Sequence, residues 1–326
     1  MTLCFTLSKD KRKLEIFHSP LWSYILKWNR YKESMHALSI GICLLSAPSF
    51  SFAKDSNFIG FRSKCKYEEA HGPETAPQSP PLSIDDPETP GCNHIEINLT
   101  FDGDFAKGEA SREVPLLDLN YGIGDNLQLK YEIPRMNDTQ GDETTSDWGG
   151  SKVGLKYHFY GNEQQELNIS VYPQIEWVES KSEHGHIMSL PVLLSQKLGQ
   201  TALGDVIFAS NLGYHSALKL DTKDFLTISV GLGAPLTKDI GIMGELSSKQ
   251  ALGRLPNEKR EQLVFANLGF MLTMSASFKL YASAGSSVAS SDDKHHVYAL
   301  AGLRWNSEDP GNPDDGNEHE TRRAIP

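Results

Sequence analysis

The sequence predicts an all-β fold: a transmembrane, antiparallel, up-and-down β-barrel of about 12 strands. Apolar and polar residues alternate with a period of two through the chain interior. The alternating segments mostly run nine to twelve residues, longer than ordinary soluble strands and matched to a tilted membrane crossing. The connections alternate between long and short, as they do when each side of a bilayer has its own loop length.

The first 53 residues read as a signal peptide with an upstream extension. Residues 35–53 contain no Asp, Glu, Lys or Arg, follow Lys27, Arg30 and Lys32, and end in the small-x-small pattern Ser51-Phe52-Ala53. The run is short for a helical span and Pro48 interrupts it. Met1 and Met35 both stay open as the start. Cys43 follows Ile40-Gly41-Ile42 and lacks the small residue expected just before a lipidated cysteine.

Export alters the charge balance. Removing the seven basic and three acidic residues of 1–53 from the chain's 31 and 42 leaves 24 and 39, a net charge of −15. An acidic chain excludes general nucleic-acid binding, which needs a basic face. No run of 18 uncharged apolar residues follows residue 53, so helical spans are excluded as well. Cys65 and Cys92 remain as a disulfide candidate in an oxidising compartment. Closing that 28-residue loop contributes about 3.5 kcal/mol in the chain-entropy account; two free thiols are the alternative. Residues 54–93, rich in proline and without apolar periodicity, read as a periplasmic Pro-rich linker. Residues 94–305 form the expected barrel, and the polar stretch 306–326 a disordered tail.

Twelve strands are expected at about 94–102, 114–121, 126–134, 150–160, 166–178, 187–198, 205–216, 225–236, 239–248, 262–273, 277–286 and 295–305. Leu127-Gln128-Leu129-Lys130-Tyr131-Glu132-Ile133 shows the pattern well, with every odd residue apolar. Six long connections (102–113, 135–149, 179–186, 217–224, 249–261 and 287–294) alternate with five tight turns, which puts both barrel ends on the periplasmic side. Eleven strand charges, Glu96, Asp118, Lys130, Glu132, Lys152, Lys156, Glu176, Lys197, Glu245, Lys279 and Arg304, all fall on the polar parity. A soluble half-buried sheet would also show that parity; only together with the loop lengths does it point to a barrel. Tyr121, Tyr131, Tyr157, Phe159, Trp177 and Trp305 lie near strand ends, as interfacial girdles do, although aromatics favour strands generally. Pro115, Pro173, Pro191 and Pro235 oppose the reading, since each removes a ladder donor.

The stretch EVPLLDLNYGIGDNLQLKYEIP (Glu113–Pro134), with Gly154-Leu155-Lys156-Tyr157 and Tyr172-Pro173-Gln174, resembles the outer-membrane transporters of the MetA-pathway of phenol degradation family over roughly residues 90–305. The resemblance implies an outer-membrane barrel that passes small molecules, hydrophobic or aromatic compounds among them. It carries no catalytic motif and implies no cofactor.

No phosphate loop, Cys-x-x-Cys pair or nucleotide fingerprint is present, and Gly122-x-Gly124 is a strand turn. His184-Gly185-His186 with Glu183, and His295-His296 beside Asp292-Asp293, read as incidental loop residues rather than metal ligands. The acidic Asp138, Asp142, Glu143 and Asp147 read as a solvated loop, with a divalent cation bridged to lipopolysaccharide as the alternative. Tyr214-His215-Ser216 invites a hydrolase reading, but His215 and Ser216 face opposite sides of one strand, so the expectation is no enzyme.

The expected function is a passive outer-membrane channel for small molecules, its partners being lipid, lipopolysaccharide and cargo. Lys130, Glu132, Lys156, His158, Gln174, Glu176, Glu245, Lys279 and Arg304 are the expected lumen-facing residues along the substrate path. A barrel that anchors the envelope or displays loops without transport is the alternative, and a secreted soluble β protein a third.

Overall fold

The computed structural model describes residues 73–161, 166–179, 184–220, 223–253 and 261–307. Period-two segments become strands throughout: β1 (Ile95–Ala106), β2 (Glu109–Ile123), β3 (Leu127–Gln140), β4 (Glu143–Trp148), β5 (Lys152–Tyr160), β6 (Leu167–Val171) and β7 (Gln174–Glu179). Then follow β8 (His184–Thr201), β9 (Gly204–Leu218), β10 (Phe225–Pro235), β11 (Ile240–Ala251), β12 (Gln262–Thr273), β13 (Phe278–Ser290) and β14 (Val297–Asn306). Neighbours pair antiparallel in chain order, and β1 pairs with β14, so the sheet closes on itself and leaves no edge along the barrel.

Among the described residues fourteen strands make twelve staves, as the sequence predicts. β4 and β5 both pair with β3 and form one stave interrupted at 149–151. β6 and β7 both pair with β8 and form another, interrupted at Tyr172-Pro173. The two mid-strand prolines explain each other. Pro191 of β8 lies opposite that interruption, and its carbonyl accepts from the Tyr172 N–H at 2.9 Å. Its missing donor therefore faces a gap in the ladder rather than a waiting acceptor. Pro115 sits where β2 slips register between Glu113 and Leu116, and Pro235 ends β10.

Two connections expected as long loops are instead extended hairpins. β1 and β2 continue to a turn at Lys107-Gly108, and β3 and β4 to Gly141-Asp142, with positive φ at both glycines. The sequence there keeps strand pairing without keeping apolar alternation, because β4 is exposed throughout and needs no buried face.

The faces are inverted relative to a soluble sheet. Leu99, Leu129, Leu212, Leu232, Leu268 and Leu303 are exposed on the outside, Leu268 by 67%. Asn98, Asp118, Lys130, Asn211, Glu245 and Arg304 are buried on the inside. A contiguous apolar exterior of this kind needs an apolar solvent or a partner.

The expected periplasmic linker is the main correction. Residues 73–93 run inside the barrel, in its short-turn half, as a plug; residues 54–72 lie outside the described residues. Leu82 and Ile84 of this segment are buried with Ala209, Met243, Met271, Tyr281 and Leu300 of the wall, and that cluster is the hydrophobic core. Proline richness by itself suits a solvated spacer. A proline-rich chain also suits a lumen, because each proline has no backbone N–H that would need a partner there. The expected signal peptide (1–53) and most of the tail (308–326) also lie outside the described residues.

Candidate functional site

The plug is held by three polar anchors. At its apex the Glu245 carboxylate accepts from the Ser83 N–H at 2.7 Å, the Ile84 N–H at 3.0 Å and the Ser83 hydroxyl. Nothing in the local sequence forces a lone carboxylate inward on β11. Its three donors justify it, since a buried carboxylate without partners would cost several kcal/mol.

The second anchor is Arg304 of β14, 2% exposed. It donates to the Pro80 carbonyl at 3.2 Å, to Gln78 Oε1, to Glu74 Oε1 at 3.2 Å and to Asn98 Oδ1 at 2.9 Å. Lys279 on β13 pairs with the same Glu74. The third anchor is on the opposite wall, where Lys156 Nζ donates to the carbonyls of Asp86 at 2.8 Å and Glu88 at 3.1 Å. Ser170 bonds the Pro87 carbonyl, and Ser283 bonds the Pro81 carbonyl at 2.6 Å.

Inward glycines supply the seat. A Cβ on Gly233 would stand 1.7 Å from the Thr75 carbonyl oxygen, and one on Gly241 1.9 Å from that of Glu74. Neither position has positive φ, so close approach and not backbone conformation requires glycine there.

The expected lumen residues separate into two groups. Lys156, Glu245, Lys279 and Arg304 touch the plug directly. Lys130 and Glu132 are buried in the wall, where Lys130 Nζ lies 2.7 Å from Glu132 and 3.4 Å from Asp118, and Lys152 closes the network on Glu132. Glu176 stands opposite Lys152 in register, and Gln174 opposite Gly154, both half-buried. His158 is half-buried near the short-turn end, its Nε2 without a hydrogen-bond partner. Periodicity could not find the plug's own contributors, Glu74, Gln78, Ser83 and Asp86. Cys92, at the plug's exit into β1, is buried and disulfide-bonded; Cys65 lies outside the described residues.

His215 finds hydroxyl partners across the sheet. Ser189 Oγ lies 2.7 Å from Nδ1 and Thr227 Oγ1 2.9 Å from Nε2, with Phe225 stacked at 4.4 Å. Both ring nitrogens are taken by hydroxyls, so no carboxylate orients the ring as a hydrolase base requires. Ser216 bonds Asp224 instead. Of the His184–His186 group, Glu183 lies outside the described residues, and among those described no His, Cys, Asp or Glu group could hold a metal ion.

At the long-loop rim, His296 bridges Asp104 of β1 at 3.1 Å and Asp292 of the β13–β14 loop at 3.1 Å, beside a cavity of about 250 Å³ that also meets Asp138. Burial works against the charged ring, but the Asp292 hydrogen bond and the Asp104 charge outweigh it and raise the pKa above the ordinary imidazole value of 6.5. A raised folded pKa contributes stability in full below the unfolded value of about 6.5, and that contribution is lost as pH rises through the folded value. The partners are partly exposed, which limits the effect to about 0.5 kcal/mol or less. Proteolysis of the 291–296 loop should therefore speed up as pH rises through that window, and His296→Ala should abolish the dependence. A pH-independent wild-type rate would show that the His296 bridge does not hold the loop.

The fold and site define a closed twelve-stranded antiparallel β-barrel carrying its own lumen plug. Solved structures similar to this chain include the NanC porin (10% identity, covering 64% of this chain and 98% of that one, TM-score 0.48). The KdgM porin in complex with disordered oligogalacturonate matches at 12% identity over 65% and 99% of the two chains, TM-score 0.45. The CymD monoaromatic hydrocarbon channel matches at 10% over 67% and 89%, TM-score 0.37. No family model and no curated protein matches. The fold assignment rests on the strand pairing itself.

Proposed function

We propose that this protein is an outer-membrane channel for small molecules, closed at rest by residues 73–91. The observation that carries the reading is how the plug is held. Its two walls grip it mainly through side-chain hydrogen bonds to its backbone and to Glu74, and such contacts can be exchanged for water one at a time. A barrel built only to anchor would be served as well by a continuous apolar interior. The apolar band outside, the closed sheet and the segregation of short and long connections support the membrane placement. Hydrophobic or aromatic cargo rests on the family resemblance alone.

Planar-bilayer recording tests the channel. Wild-type protein should be mostly silent, and protein lacking residues 73–91 should conduct steadily. Silence from both, with the truncated barrel still folded by heat-modifiable gel mobility, would favour the anchoring alternative. Membrane placement has its own test in Leu268→Arg, at the middle of β12 on the outer face. Lipid exposure predicts a loss of about 2–4 kcal/mol in urea unfolding from vesicles. A water-exposed position would lose no more than about 0.5 kcal/mol.

A further inference from the structure

The barrel exterior changes character where the long hairpins leave the apolar band. On β3 the outward residues run Leu129, Tyr131, Ile133 and then Arg135. On β2, beyond the register slip at Pro115, they run Val114 and then Arg112. Cross-strand partners share a face, so the register fixes the rest. Arg112 stands opposite Gly103 of β1 and Asn137 of β3, and Arg135 stands opposite Trp148 of β4. The two arginines are thus diagonal neighbours, their backbones roughly 7–8 Å apart. The carboxylates of these hairpins take the other face. Asp102 pairs with Glu113, Asp104 with Ser111, Ser111 with Asp138, and Met136 with Asp147. On β1 to β4 every carboxylate therefore faces the lumen side, and the two outward charges are both arginines.

Among the described residues neither arginine pairs with a carboxylate. Arg112 lies 5.4 Å over the Phe105 ring and reaches Thr139 Oγ1 at 3.5 Å. Arg135 lies 5.4 Å over the Trp148 ring and donates to Ser146 Oγ at 3.0 Å. A guanidinium carries five N–H donors, so most of them stay open to a ligand. Stacking on a ring leaves the edge of the fork free, and that edge matches two phosphate oxygens. Gly103 gives the Arg112 pair its seat. A Cβ there would stand 2.7 Å from the Phe105 ring and 3.4 Å from Arg112 Cγ.

We infer that Arg112 and Arg135, backed by Phe105 and Trp148, form a docking site on the barrel exterior for a phosphorylated lipid headgroup of the outer leaflet. This rests on the membrane placement of the barrel. Headgroup phosphates lie just beyond the hydrocarbon layer, at the height of the first polar rungs above Val114 and Ile133. Trp148, 58% exposed, is the residue type that favours that layer. The band below decides between a lipid and a free phosphate ion, since Leu129, Tyr131 and Val114 are exposed there to meet acyl chains. Asp138 and Asp147 face the lumen side, so lipid phosphate is met by the arginines directly rather than through a cation bridged to those carboxylates.

Native mass spectrometry of the folded barrel in neutral detergent tests this, with diphosphorylated lipid A, its dephosphorylated form and inorganic phosphate as probes. An arginine beside an anionic headgroup layer is worth about fivefold in affinity, so the pair should give about 25-fold. The diphosphorylated lipid should be retained at least tenfold more tightly than the dephosphorylated one. R112Q/R135Q should lose that preference with unchanged heat-modifiable mobility, and R112K/R135K should lose part of it, keeping charge without the fork. K238Q, at the exposed short turn between β10 and β11, should leave it intact. Equal retention of the two lipids, an unchanged preference in R112Q/R135Q, or an equal loss in K238Q would each overturn the site. Displacement of the lipid by equimolar inorganic phosphate would overturn the lipid as its ligand. Failure of the membrane placement is separable. A barrel that inserts into vesicles but ignores the phosphates loses only the site, whereas one recovered soluble without detergent loses the placement itself.

Discussion

Glu245→Ala should release the plug while leaving the barrel closed. The substitution strands two backbone N–H groups, of Ser83 and Ile84, in the interior. Each orphaned donor costs roughly 1–3 kcal/mol, so the plugged state should lose about 2–6 kcal/mol. At 1.4 kcal/mol per factor of ten, the plugged-to-unplugged ratio falls by about 30-fold to 10⁴-fold. Water entering the lumen can satisfy the stranded groups, which places the result toward the lower end. In planar bilayers the variant should conduct where wild type is silent, and protease added from the short-turn side should cut within 73–91. Glu245→Gln keeps the shape and one acceptor oxygen, so its effect should be intermediate. If the alanine variant stays as silent and as protected as wild type, the apex anchor contributes nothing to closure.

The barrel was legible because its two faces meet different surroundings, and a residue's parity records which one it meets. Even the interruption at Pro173 shows in the sequence as a proline where the ladder needs a donor. The plug was not legible, because no local pattern marks it. Six prolines between residues 73 and 90 look alike whether solvent or a barrel wall surrounds them. Its partners are complementary only once the sheet has closed: Glu245, Lys279 and Arg304 come from three different strands. Two signals did point to it. An inward carboxylate with no cation beside it in the pattern asks for donors from elsewhere. Inward glycines on adjacent strands, Gly233 of β10 and Gly241 of β11, ask for a second chain pressed against the wall. The extended hairpins were missed for the opposite reason, since exposed strands carry no alternation for periodicity to detect.

The second large effect is expected at those glycines, and its sign differs between barrel and plug. Gly233→Val puts a branched side chain where the Thr75 carbonyl oxygen now stands, 1.7 Å from the ideal Cβ. The obstacle is backbone, not the movable end of a flexible side chain, so the plug has to leave its seat between Thr75 and Pro77. The strand itself gains. Valine suits an extended backbone better than glycine, which costs roughly 0.5–1 kcal/mol relative to alanine in a strand interior. Urea unfolding of the barrel should therefore be unchanged or slightly raised, while channel activity and cleavage within 73–91 rise together. Gly241→Val, 1.9 Å from the Glu74 carbonyl oxygen, should repeat the pattern. It should also loosen the pairing of Glu74 with Lys279 and Arg304, giving the larger opening of the two. A variant that destabilises the barrel without opening it would show that these glycines serve the sheet and not the plug. Opening without loss of barrel stability is the outcome that only a seated, displaceable plug produces.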